Sequence, residues 1–260
     1  MISFLHSFQS EWLKKQNSLA SWLVLVGGFF TPIIIIIARL INYKKLPAIY
    51  ENDFFWSQLW QSSWESMAIF LLPMGVILAT SLISQIEYKN NTWKQLHSLP
   101  LTFTTIFFSK LVVILVMVLQ FFIFFNIGIF LSGLIPYFII SGVPYPKNPI
   151  PFLTIFKEDL YFFVDCLPII ALKYLICLQF KNFLIPIGIG FGLWVASLSA
   201  LSWKFGYFIP YTYSILNFLK TQDYNKAAIP VMNIHSLAIC YFILFTMLSY
   251  FLYINKKEKG

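Results

Sequence analysis

The sequence predicts an all-α membrane protein with six transmembrane helices in a single domain, residues 1–260. Two observations carry this. The chain is 59% apolar and only 11% charged, with a mean hydropathy of +0.76, whereas soluble domains are about half apolar and a quarter charged. Its apolar residues also gather in six runs, each near the roughly 20 residues that a helix needs to cross ~30 Å of hydrocarbon. Those runs use about half of the chain, so the connections are short and no large soluble domain fits between them.

Taken in order, residues 1–17 come first. At ~100° per residue, Met1, Phe4, Leu5, Phe8 and Trp12 share one face, and His6, Ser7, Ser10, Glu11 and Lys14 the other; this pattern predicts an interfacial helix lying on the membrane. The run at residues 19–41 begins too late for a cleavable signal and has no small-residue cleavage pattern after it, so it is the first span. Further runs at residues 66–86, 111–135, 160–180, 183–202 and 232–254 give five more. Six spans put both termini on one side. Pro73, Pro168 and Pro186 lie within or at the ends of these runs, where neighbouring helices can satisfy the backbone groups a proline frees, so they predict kinks and not breaks.

The connections differ in character. In the first loop, residues 87–104, Asn90, Asn91 and Thr92 are helix-starting residues, the next six can form about two turns, and Pro100 stops them. Pro144, Pro146, Pro149 and Pro151 predict an extended segment, because each fixes its own φ and biases its predecessor away from helix. Residues 203–231 are rich in aromatic side chains and punctuated by Pro210 and Pro230; they predict short re-entrant or interfacial helices at the water-lipid boundary before the last span.

The net charge is +8, with a pI near 9.3, but the basic residues are scattered one to three per loop. That distribution suits a membrane edge and not nucleic acid. Lys and Arg divide almost evenly between the two sides, so the positive-inside rule gives no orientation. Cys166, Cys177 and Cys240 all sit inside apolar runs and read as packing residues. No phosphate-binding glycine loop, metal-ligand spacing of His6, His97 and His235, or serine-nucleophile elbow is present. The expectation is a chain that is not an enzyme and binds no cofactor or metal itself.

Two features inside the spans stand out. Asp165 and Lys173 are eight residues apart, about 80° around the helix and ~12 Å along it, too distant to pair. Lys173 should face the protein interior or snorkel to the membrane edge, and Asp165 should reach interfacial water or Arg39. Gly188, Gly192, Ala196 and Ala200, four apart, form a ridge of small side chains where another helix, of the same chain or of a second subunit, can approach closely.

A further set of residues forms a recognisable pattern: Glu11, Trp12, Lys14 and Lys15 near the N-terminus, then Glu87, Thr92, Trp93, Lys94, Leu96, Leu99, Pro100 and Lys110 around the first loop. With the span layout, this resembles the ATP-binding-cassette (ABC) exporter permeases of the bacitracin-resistance and lantibiotic-immunity kind. The family's basic residue shortly after the Leu-Pro is missing, since residues 102–105 are uncharged. The resemblance implies a permease in a bacterial cytoplasmic membrane with cytoplasmic termini. Its partners would be two ABC ATPase subunits that carry ATP and Mg, and a second, identical or related permease. The cargo would be an amphipathic peptide, an antibiotic or a lipid-like compound. It also makes the loop helix at residues 91–99 a coupling helix with Trp93 and Leu96 as its apolar anchor, and brings the fifth span near the partner permease. The alternative is a stand-alone transporter or assembly factor, for which an inverted repeat would be expected; none is evident.

Overall fold

The computed structural model describes residues 2–16, 18–89, 102–221 and 233–255. Among these residues the chain is helical throughout its regular structure, without strands. Ten α-helices follow in order: α1 (Ile2–Gln16), α2 (Leu19–Ile41), α3 (Leu46–Tyr50), α4 (Phe55–Ser66), α5 (Leu72–Lys89), α6 (Phe103–Ile139), α7 (Phe152–Gln179), α8 (Leu184–Ala200), α9 (Tyr213–Thr221) and α10 (Ile234–Asn255).

Among the described residues, five helices are long and apolar enough to cross a membrane: Leu19–Ile41, Phe55–Ile86, Phe103–Ile139, Phe152–Gln179 and Ile234–Asn255. The sixth apolar helix, α8, has 17 residues, about 25 Å at 1.5 Å per residue. Several helices overrun their apolar runs. The second begins at Phe55, eleven residues before the apolar run, because Trp56, Trp60 and Trp64 recur every fourth residue and bury one face of α4. A π-helical turn, Met67–Leu71, joins α4 to α5 just before Pro73. The proline-rich segment is non-helical as expected, and Gly142 turns into it with φ +94°, a conformation that suits a residue without Cβ.

The core lies among α4 to α7. Apolar windows there are 50–61% buried, against 22% in α2 and 17% in α10, which flank the bundle. Trp64 is fully buried, stacked on Phe162 at 3.8 Å and edge-on to Phe125 at 5.3 Å. Flanking helices approach through glycine: a Cβ on Gly128 of α6 would come within 2.6 Å of the Pro32 ring of α2, and one on Gly28 within 2.8 Å of Phe124.

Each proline inside a helix leaves the carbonyl four residues back without its helical N–H, and for two of them, Pro73 and Pro136, a side chain of another helix donates to it. Pro73 frees Ile69 O, which accepts from Trp194 Nε1 of α8 at 3.0 Å. Pro136 frees Ser132 O, which accepts from Arg39 Nη1 of α2 at 3.0 Å. The same guanidinium reaches Tyr50 Oη at 3.2 Å and lies 4.9 Å from the Phe55 ring centre, while Tyr50 Oη donates to Gly133 O at 2.6 Å. These donors make the prolines tolerable in lipid and lock α2, α3 and α6 together at one end of the bundle.

Residues 203–221 carry both exposed and buried aromatic side chains. They do form short helical turns, Gly206–Phe208 and Pro210–Thr212, before α9. Trp203, Phe205 and Phe208 are exposed, but Tyr211, Tyr213 and Phe218 are buried. Three of the seven aromatic side chains of this segment therefore pack into the protein, because α9 rests on α7 and α10.

Candidate functional site

At the end of the bundle opposite Arg39, α1 lies along the first half of α6. The apolar Phe8 and Trp12 pack on the core, but the three residues buried deepest on this helix are Ser7, Glu11 and Lys15, spaced by four. The polar face expected to meet water is thus turned partly inward, because α6 offers it partners. Ser7 Oγ and Ser109 Oγ are 2.9 Å apart, and Lys15 Nζ donates to Gln120 Oε1 at 2.6 Å. Glu11 accepts from Lys14 Nζ at 2.5 Å, and Lys15 also lies 4.2 Å from the centre of the Trp12 ring. Burial pushes the Lys15 ammonium below its ordinary range. Leu5 and Leu13 remain exposed on the far side, a face suited to the membrane surface.

The α5 and α6 ends that flank the first loop lie at this same end. Glu87 is in the last turn of α5; its side chain, and Thr92, Trp93, Lys94, Leu96 and Leu99 entirely, lie outside the described residues.

Lys173 and Asp165, both fully buried on α7, point to different neighbours. Lys173 does not snorkel: Nζ donates to the carbonyl of Pro186 in α8. Gly190 makes room for it, since a Cβ there would meet Lys173 Nζ at 2.8 Å and Ile77 Cγ2 at 3.0 Å. Asp165 does not meet Arg39; Oδ1 lies 2.8 Å from His235 Nδ1 at the start of α10, and the His235 ring stacks on Tyr161 at 4.4 Å. Arg39 is engaged by α3 and α6 instead.

The small-residue ridge on α8 faces away from the chain. Gly188, Gly192 and Ala196 are exposed, and a Cβ on either glycine would meet nothing within 4 Å. The helix packs through its other side, where Pro186, Gly190 and Ser197 are buried and Trp194 bonds to α5's lead-in turn. Sequence reasoning missed Gly190 and the Asn126–Asp159 contact between α6 and α7, in which Asn126 Nδ2 donates to Asp159 Oδ2 at 2.7 Å. Asn126, one of two amides in the apolar run of α6, was the available signal.

Residues 7–197 match the family described as ABC-2 family transporter protein. No curated protein and no solved structure matches significantly. The matched segment takes in α1 through most of α8 and covers well over half of the 260 residues. The chain therefore belongs to the ABC-2 family of transporter proteins, as a multi-pass permease subunit whose ATPase resides on a partner.

Proposed function

We propose that this permease serves an ATP-driven exporter of the bacitracin-resistance and lantibiotic-immunity kind, moving an amphipathic peptide, antibiotic or lipid-like compound out of a bacterial cytoplasmic membrane. The observation that supports it best is the docking of α1 on α6 through Ser7–Ser109 and Lys15–Gln120. That contact sets Glu11 to Lys15 at the end of the bundle where the helices flanking the first loop, α5 and α6, have their loop-side ends. On this reading the end faces the cytoplasm, and residues 91–99 form the coupling helix that enters a groove on the ATPase. Trp93 and Leu96 supply the apolar anchor, flanked by Glu87, Thr92, Lys94 and Leu99.

The open ridge of Gly188, Gly192, Ala196 and Ala200 is the contact with a second permease, identical or related, so that two permeases sit on two ATPases holding ATP and Mg. Lys173, with its amine on α8 and its stem on α7, belongs to a polar seam between helices that shift in the cycle. Trp93→Ala is the direct test: the variant should insert and fold normally, yet lose both association with the ATPase and transport-coupled ATP hydrolysis. Retention of both would overturn the coupling assignment.

A further inference from the structure

Between α4, the half of α6 nearer Ile139 and the first three turns of α7 lies a cavity of about 560 Å³. That is within the range of roughly 300–1,000 Å³ usual for small-molecule sites. Its walls are apolar, with Trp60, Phe122 and Phe163 on the protein side. Ile123 and Phe156, 56% and 67% exposed, form its rim, so it opens sideways onto the surface that the spans present to lipid. Along α6 it runs from Leu119 to Phe130, about 16 Å of helix.

One side chain in this lining is acidic and none is basic: Asp159. Its Oδ2 accepts from Asn126 Nδ2 at 2.7 Å, and its Oδ1 is buried without a donor. A carboxylate has about four acceptor positions, and a single amide donor fills one of them. The nearest cation in sequence, Lys157, lies over the Tyr161 ring at 5.9 Å and is not part of the lining. An acid in apolar surroundings with so little support is costly unless a donor or a cation completes it. A small turn about the soft terminal torsion of Asp159 brings either oxygen to face a bound group.

We propose that this cavity binds a lipophilic amine, with the ammonium donating to the Asp159 carboxylate and the hydrocarbon body lying against Trp60, Phe122 and Phe163. The site stands on its own geometry; that the amine is cargo rests on the exporter reading above. A neutral acyl chain would fill the same apolar volume but leave Asp159 as it is, so charge is the discriminating property.

The test uses the full chain in lipid nanodiscs, without an ATPase, and a decylamine that carries a photoreactive diazirine, with the matching decanol as its neutral counterpart. Mass spectrometry maps the labelled peptides. The amine should label the segments at residues 119–130 and 155–163 saturably, and about tenfold more tightly than the alcohol, the difference expected for a charge-assisted bond. Asp159→Asn should remove that advantage and leave alcohol labelling unchanged, whereas Ile123→Trp, which fills the cavity from an exposed rim position, should block both probes. Equal labelling by amine and alcohol, or amine labelling indifferent to Asp159→Asn, would overturn the proposal. Co-purification from cells separates the two readings: Asp159-dependent labelling of a chain that recovers no ATPase from cells keeps the site and removes the exporter reading, whereas Asp159-independent labelling of a chain that does recover one removes the site alone.

Discussion

Arg39 should be worth more to this fold than an ordinary interhelical contact, because the carbonyl it serves has lost its helical N–H to a proline. Ser132 O would normally accept from the N–H of residue 136, but that residue is Pro136, and Arg39 Nη1 donates to it at 3.0 Å. Arg39→Leu leaves that oxygen bare and also removes the contact with Tyr50 Oη at 3.2 Å. Hydrogen bonds to charged groups contribute about 1.5–3 kcal/mol in soluble proteins, whereas interhelical polar contacts in membranes average about 0.6 and reach about 1.7 kcal/mol. With two bonds and one uncompensated acceptor, Arg39→Leu should cost about 1–2 kcal/mol. Pro136→Ala restores the helical N–H, so in that background the same substitution should cost about 1 kcal/mol less. Reversible unfolding in mixed micelles, run as a double-mutant cycle over the four proteins, measures this coupling. An equal cost of Arg39→Leu in both backgrounds would refute the claim that the guanidinium replaces the missing N–H.

Three further outcomes are expected. Gly128→Ala should destabilise the chain by about 1–3 kcal/mol through overpacking, since the new Cβ would sit 2.6 Å from the rigid Pro32 ring; Gly75→Ala, where nothing lies within 4 Å, should be neutral within error by the same unfolding assay. Lys173→Met should keep assembly and ATP hydrolysis but abolish transport of the cargo; unchanged transport would sink the polar seam. Cysteine at Gly192 should cross-link to a second permease, and its failure to do so, with only intrachain products, would remove the proposed dimer face.

The span layout was legible because hydrocarbon demands long apolar runs, and six such runs became five long helices and the shorter α8. Proline tolerance was legible as a rule, but the donors were not: Trp194 and Arg39 lie 121 and 97 residues from the prolines they compensate, a pairing only the tertiary structure sets. The helix from Phe55 was hidden by its serines and glutamines, although Trp56, Trp60 and Trp64 at a spacing of four were a readable sign. On α1, hydropathy alone sends Ser7 and Glu11 to water; the burial of Ser7 depends on Ser109 of α6, which sequence cannot pair with it. A lysine inside a span must turn inward or snorkel, and Lys173 turns inward onto the Pro186 carbonyl. Asp165 was assigned the wrong neighbour because His235 sits 70 residues away.

The central claim is that this chain works as one of a pair of permeases on a pair of ABC ATPases. Native mass spectrometry of the complex purified through a tag on this chain reads that directly: the account predicts two permeases with two ATPase subunits, reduced to permeases alone by Trp93→Ala. A chain recovered without any ATPase in its unaltered form would contradict it.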